Sequence, residues 1–168
     1  MITGAGPISR PLAIIRNKLL NTQAWQDWHT LSGDDSDPET GVYIFDAPST
    51  LADNSKLHAI VDWENNWSAE LKTLNPASGN SWDWNGNTSI YVFAPITEDD
   101  RIDAALDFGN RVGALIAELL ETPTAGNELV IAKMDLPVPP MRGTEDDENV
   151  LGKFFEVGIS VIWGSIGQ

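Results

Sequence analysis

Few side chains in this sequence have a type and spacing that could carry catalysis or bind a metal ion. His29 and His58 are its only histidines, and no sequence motif supplies either with a catalytic or zinc-binding partner. The absence of cysteine excludes disulfides, thiolate metal sites and a cysteine nucleophile. Serine-nucleophile and phosphate-loop motifs are also missing. We therefore interpret both histidines as packed or surface residues and expect no enzymatic activity and no cofactor.

Two acidic segments could bind a cation. Residues 34–39, Asp-Asp-Ser-Asp-Pro-Glu, lack the alternating ligands, central glycine and distant glutamate of an EF-hand loop. The run from Glu145 to Glu148 could bind a divalent cation or a basic neighbour. Because short polar residues and runs of like charge favour solvent-exposed turns, we interpret both segments first as solvated loops.

Tryptophan is abundant, with seven residues in a chain of 168. Four of them lie close in sequence, at Trp63, Trp67, Trp82 and Trp84. Trp82 and Trp84 share one face of a regular strand, where exposed rings would form a stacking platform for sugars. Large aromatic side chains are more often core residues or interface anchors. Core or subunit-interface packing is the main interpretation, and a Trp-rich carbohydrate-binding module is the alternative.

The net charge of −15 is distributed unevenly. Arg10, Arg16 and Lys18 give the first 26 residues a charge of +3, so the remainder carries −18. This acidity disfavours binding to nucleic acid phosphates, although an acidic surface could line a channel through which DNA passes. No apolar run approaches the ~20 residues that span a bilayer, and the N-terminal residues lack the pattern of a secretory signal. We expect a soluble cytoplasmic protein without a membrane partner.

The first half of the chain predicts one helix followed by strands. Leu12, Ile15 and Leu19 recur at helical spacing, which predicts a helix from about residue 11 to 21 with a less certain continuation through Trp28. Strands are predicted over residues 42–45, 57–63 and 88–94. The segment Asn85-Gly86-Asn87 before the last of these indicates a hairpin tip or a bulge. Long loops are predicted near residues 32–40, 72–80 and 137–149.

A long helix is the firmest local prediction, from about Glu98 to Glu121. Thr97 is a good N-cap, and Asp100 has the spacing of a capping-box acid. Apolar residues at helical spacing predict one buried face: Ile102, Ala105, Leu106, Gly109, Val112, Gly113, Ile116, Leu119 and Leu120. Since each interior glycine costs ~1 kcal/mol relative to alanine, Gly109 and Gly113 suggest close approach to a sheet or a neighbouring helix.

Two further strands complete the predicted fold. Residues 129–136 read as one strand, and residues 154–163 alternate so that one face, from Phe155 to Trp163, belongs to the core. The sequence has no internal repeat and no linker. It therefore predicts a single α+β domain over residues 1–168, with a mixed or antiparallel sheet of about four main strands backed by two helices and long loops.

This order of elements resembles the tail terminator proteins of long-tailed bacteriophages. The resemblance lies in the short first helix, the strand pair with Trp63 and Trp67, and the Trp-rich entry to the strand that ends at Pro95. It continues through the long helix near Arg101, the strand after Gly126, and the acidic loop with Asp146-Asp147 before the terminal strand. The long stretch between Ser32 and Asn87 departs from the shorter members of that family.

The resemblance implies a virion structural protein. Members form a homohexameric ring that caps the finished tail tube, stops its growth and joins the tail to the head. The implied partners are other copies of the chain, the tail tube protein and a head–tail connector or stopper protein, with DNA only passing through the channel. The implied location is the virion neck, with host cytoplasm as the site of assembly. Another connector ring of the neck is the nearest alternative.

Subunit contacts of such a ring would need complementary charged or closely packed surfaces. The sequence offers basic residues near the first helix, small residues on the long helix and an acidic loop. The interface candidates are Arg10, Arg16, Lys18, Gly109, Gly113, Arg142, Glu145, Asp146, Asp147 and Glu148.

Overall fold

The computed structural model describes residues 9–31, 41–45, 56–64, 66–73, 81–95, 101–121, 129–142 and 154–165. These residues form an α+β fold with one mixed sheet, as the sequence predicts. The described elements are α1 Ser9–Leu20, α2 Gln23–Leu31, β1 Val42–Ile44, β2 His58–Trp63, β3 Ser68–Thr73, β4 Ser81–Pro95, α3 Arg101–Glu121, β5 Leu129–Arg142 and β6 Phe154–Ser165. The sheet has more strands than the predicted four, and three helices rather than two accompany it.

The sheet is mixed because one strand pair is parallel. The strands lie in the order β1-β2-β4-β6-β5, and β3 pairs with the first part of β4. β1 runs parallel to β2, whereas the other described pairs are antiparallel. β1 and β5 therefore lie at opposite edges of the sheet.

Two residues, Asn21 and Thr22, separate the first two helices. Thr22 Oγ1 donates a hydrogen bond to the Leu19 carbonyl at 2.7 Å and accepts one from the Trp25 backbone N–H at 3.3 Å. Thr22 is thus the N-cap of α2. The segment through Trp28 is therefore a second helix rather than a continuation of the first.

The core lies between the helices and one face of the sheet. The alternation predicted for the last strand is confirmed, since its residues from Phe155 to Trp163 on one face are buried. Leu12, Ile15 and Leu19 of α1 join the same core cluster, as their helical spacing indicates. Residues of β2 and β4 at alternate positions complete the cluster: Ala59, Val61, Ile90, Val92 and Ala94.

The prediction of a turn or bulge at Asn85-Gly86-Asn87 is wrong. These residues lie within β4 and pair with Gly164, Trp163 and Ile162 of β6 without a register shift. A Cβ added to Gly86 would lie 3.0 Å from Cζ2 of Trp163 and 3.3 Å from Cδ1 of Trp67. The glycine therefore provides space for two tryptophan rings, and this packing overrides the turn preference of an Asn-Gly pair.

The predicted loop from residue 137 begins too early. β5 continues to Arg142, with register shifts at Asp135/Val138 and Val138/Met141. Prolines are tolerated there because β5 is an edge strand and its ladder is interrupted by irregularities. Residues 143–149 of that loop, the loop at 32–40 and the Thr97–Asp100 cap lie outside the described residues. Among the described helices, none is long and apolar enough to cross a membrane.

Candidate assembly surface

The predicted basic patch on the first helix is not assembled at the surface. Arg16 is buried, and its Nε donates a hydrogen bond to the Val42 carbonyl at 2.8 Å. Lys18 is also largely buried, and this burial lowers the pKa of its ammonium group. Arg10 alone of the three is exposed. Arg16 joins α1 to edge strand β1, so its role in the described structure is internal packing.

The long helix α3 has two apolar faces instead of the single face predicted. Its core face consists of Phe108, Val112, Leu115 and Leu119, all buried. The second face is mainly exposed, and we call it the open face. It consists of six residues predicted for the core, together with Ala117: Ala105, Leu106, Gly109, Gly113, Ile116 and Leu120. The solvent-exposed fraction is 63% for Leu106 and 44% for Leu120. Ile116 is half-buried against the core.

The glycines on the open face have no close neighbour in the described structure. A Cβ added to Gly109 or Gly113 would meet nothing within 4 Å. No described sheet or helix of the same chain approaches these glycines, so the predicted close approach stays a prediction for contact with another chain. Above both glycines the described structure leaves open space, which another chain could approach.

Contacts of α3 show where the open face points. The Ala24 backbone N–H donates to the Glu118 carboxylate at 3.2 Å, and Trp28 packs edge-on against Phe108 at 5.6 Å. The Phe108 ring also stacks on Phe155 of β6 at 5.2 Å. One side of α3 thus contacts α2 and another contacts the sheet, which leaves the open face directed away from α2. Because α3 packs beside edge strand β5, the open face lies near the β5 edge of the sheet.

The β1 edge of the sheet carries an exposed aromatic pair. Phe45, directly after β1, and Trp63, at the end of β2, have ring centroids 4.9 Å apart, and each is 47% exposed. Trp63 also packs edge-on against Trp67 at 6.0 Å, and Trp67 packs edge-on against buried Trp163 at 5.1 Å. A continuous row of rings therefore joins the core to the surface at the aromatic pair.

Two hydrogen bonds hold the inner rings of this row. Trp67 Nε1 donates to the Asn87 carbonyl at 3.1 Å, and Trp163 Nε1 donates to Thr88 Oγ1 at 2.9 Å. Phe45 has a φ of 70°, which is rarely adopted by a bulky residue. Because Trp67 and Trp163 are held by hydrogen bonds, the exposed pair packs on inner rings whose positions are fixed.

The remaining candidate residues are placed as follows. Arg142 is the last residue of β5 and pairs with Phe155. Glu145 to Glu148 lie outside the described residues. Trp82 and Trp84 pair with Leu71 and Ala69 of β3, but their side chains also lie outside the description.

Both histidines are packed inside the described structure. His29 lies against Trp25, and His58 stacks on Phe93 with ring centroids 4.9 Å apart. His58 Nδ1 lies 2.9 Å from the Lys56 carbonyl. The described residues contain no group of three histidine, cysteine or carboxylate residues that could hold a metal ion.

Sequence reasoning missed the aromatic pair and misread the open face. The sequence places Trp63 in a tryptophan-rich stretch and Phe45 at the end of a predicted strand, and neither position predicts a paired, exposed ring. The sequence of α3 does contain a signal for its second apolar face. Phe108 and Leu115 lie at helical spacing with Val112 and Leu119 and form a second apolar stripe. Two interleaved apolar stripes indicate a helix with contacts on two sides.

Comparisons with known proteins add little to this geometry. No protein-family model and no curated protein matches the chain. Among solved structures, one protein whose name describes no function aligns with 92% of this chain and 94% of its own at 16% sequence identity, with a TM-score of 0.41. Similarity at this level supports no argument about function.

Proposed function

We propose that this chain is a virion structural protein that forms a ring, most simply the ring that terminates a bacteriophage tail tube. One observation supports the proposal beyond the resemblance in element order. The described surface has two different apolar patches: the Phe45–Trp63 pair near the β1 edge of the sheet, and the open face of α3, the helix that packs beside β5 at the other edge. A ring needs two unlike, complementary patches on each subunit, because its contacts are head-to-tail.

The mechanism of such a ring is steric. One face of the ring matches the last layer of the tail tube protein, and the other face offers a different surface to a head–tail connector or stopper protein. No further tube subunit adds to that second face, so growth ends. The protein acts in the virion neck after assembly in host cytoplasm, and no reactive side chain is required.

The acidity of the chain suits a passage for DNA. With a net charge of −15, copies arranged around a channel repel phosphate groups and do not retain DNA electrostatically. DNA therefore passes through the ring without being a bound ligand. Glu145 to Glu148 remain candidates for the channel lining or for contact with a neighbour.

Electron microscopy of the concentrated protein tests the ring. We expect particles with a central opening and a fixed number of subunits, six if the family resemblance holds. Compact particles without an opening at every concentration contradict the proposal. Adding the rings to polymerising tail tube protein then tests termination, because capped tubes should stop growing. Continued elongation would favour another connector ring of the neck over the terminator.

The exposed aromatic pair also keeps a carbohydrate-binding module as a second candidate. Sugars stack on exposed tryptophan rings, and Trp63 has that exposure. However, the two rings are inclined by 57°, so they do not form one flat platform. Glycan-array binding that is lost in Trp63→Ala, with the fold retained, would favour this candidate. We expect no glycan signal.

A further inference from the structure

We propose that the aromatic pair Phe45–Trp63 and the carboxylate of Asp62 form a binding site for an arginine side chain of a basic partner protein. The guanidinium group stacks on the exposed Trp63 ring and donates hydrogen bonds to the Asp62 carboxylate. This inference concerns the chemistry that the β1 edge of the sheet recognises, and it stands whether or not the chain forms a ring.

The backbone at the end of β1 brings a carboxylate to the base of the aromatic pair. The Phe45 N–H donates to the Val61 carbonyl at 3.0 Å, which continues the parallel pairing of β1 with β2. In a regular parallel ladder the Trp63 N–H would bond back to the Phe45 carbonyl. It donates instead to Oδ1 of Asp62 at 2.7 Å. The carboxylate therefore takes the place of the next strand residue, where Phe45 leaves the sheet with a φ of 70°.

Asp62 keeps acceptor capacity for a ligand. Within the described residues only its Oδ1 is bonded, and the side chain is half-buried. Since a carboxylate accepts several hydrogen bonds through two oxygens, Oδ2 can accept one from a forked donor. Glu64 differs, because its two oxygens accept hydrogen bonds from Ser89 at 2.5 Å and from Ser160 at 3.1 Å. Asp62 is therefore the carboxylate that a ligand on the aromatic pair meets.

The exposed rings give this site its selectivity. Trp63 is 47% exposed, and Trp67 packs edge-on against it. Indole is the side-chain ring that binds cations best, and a planar guanidinium stacks on it while the edge of the same group donates to a carboxylate. A lysine ammonium group has neither the planar face nor the fork of donors. An exposed indole beside a carboxylate therefore favours arginine.

The charge of this part of the sheet also fits a basic partner. Residues 57–71 contain three acidic residues, Asp62, Glu64 and Glu70, and no lysine or arginine. Arg16, which bonds to β1, is buried and does not neutralise the surface there. Complementary charge therefore steers a basic surface toward the aromatic pair.

Nuclear magnetic resonance of the natural chain with short peptides tests the site. The Trp63 indole N–H, assigned by its loss in Trp63→Phe, reports on the ring, and the Trp63 backbone N–H reports on Asp62. The probes are a peptide of alternating glycine and arginine and two matched peptides with lysine or neutral citrulline in place of arginine. We expect saturable shifts with the arginine peptide and at least about fivefold weaker binding of the other two. This comparison depends on no variant that could fail to fold.

Two acidic-residue variants separate the site from general attraction between opposite charges. Asp62→Asn retains an oxygen acceptor for the Trp63 N–H but removes the charge. Glu70→Gln removes the same charge from an exposed position of β3 and is the matched control. We expect Asp62→Asn to weaken binding of the arginine peptide by at least about fivefold, and Glu70→Gln by less than about twofold.

Three results would overturn the proposal. Equal affinity for the arginine and lysine peptides, reduced equally by both variants, would show general charge attraction only. The absence of shifts with every peptide would show that no such site exists. Shifts of the Trp63 signals that follow protein concentration instead of added peptide would assign the aromatic pair to contact with a second copy. None of these results contradicts the ring, which electron microscopy tests separately.

Discussion

Gly86 is the residue whose replacement should most directly disturb the aromatic row. A Cβ at this position would lie 3.0 Å from the Trp163 ring. Trp163 is 1% exposed, and its Nε1 donates a hydrogen bond to Thr88 Oγ1, so the ring cannot move easily. Gly86→Ala is therefore expected to lower the free energy of unfolding by about 1–3 kcal/mol through overpacking. Urea denaturation of both chains measures this. Unchanged stability would mean that the tryptophan rings adjust freely.

Gly113 should behave in the opposite way. Its added Cβ meets nothing within 4 Å, and alanine is the better helix former. Gly113→Ala is therefore expected to raise the free energy of unfolding of the dilute chain by up to about 1 kcal/mol. Thermal unfolding under dissociating conditions measures the change. A loss of stability would reveal a neighbour of this glycine within the chain.

Glu156 provides a prediction about pH. It lies half-buried on β6, and burial raises the pKa of its carboxyl group. The pKa of Glu156 is therefore higher in the folded state than in the unfolded state. As the pH rises from the unfolded-state pKa to the folded-state pKa, this carboxyl group lowers the free energy of unfolding. Glu156→Gln should stabilise the protein near neutral pH and lose that advantage in acid. Melting temperatures of both chains across pH measure the difference, and a constant difference would contradict the explanation.

At the scale of elements, Arg16 joins the first helix to the edge of the sheet. Replacing it by methionine removes the hydrogen bond to the Val42 carbonyl and is expected to cost about 1–3 kcal/mol. Arg10→Met, at an exposed position of the same helix, is the control and should change stability by less than about 0.5 kcal/mol. Similar effects from both changes in urea denaturation would show that the buried bond contributes little.

Sequence periodicity predicts where the helices and strands lie more reliably than it predicts which residues they contact. The alternation from Phe155 to Trp163 predicted the correct buried face because a strand has only two faces. In α3 the same reasoning correctly placed Val112 and Leu119 in the core but also assigned the exposed Leu106 to it. Two apolar stripes compete on this helix, and only packing against the sheet decides between them. Local turn chemistry likewise failed at Gly86, where two rings from distant residues determine the strand. The positive φ of Phe45 had no local sequence signal.

At the scale of the whole molecule, an acidic chain must overcome repulsion between copies. Exposed charge pairs contribute only about 0–1 kcal/mol each and weaken with salt. Apolar contact is therefore expected to hold the ring. Moderate salt should not dissociate the ring, and analytical ultracentrifugation across a salt series measures this. Complete dissociation at moderate salt would show that charge, not apolar contact, holds the subunits.

Native mass spectrometry over a concentration series tests the head-to-tail ring most directly. The natural chain should form one closed species at a fixed multiple of its 18.3 kDa mass. Gly113→Leu adds a large side chain to the open face of α3 and should leave only monomers, whereas Ala114→Leu, at the exposed neighbouring position outside that face, should retain the ring. Circular dichroism should show that both variants keep the fold. A natural chain that remains monomeric at every concentration, or a ring unaffected by Gly113→Leu, would contradict this account.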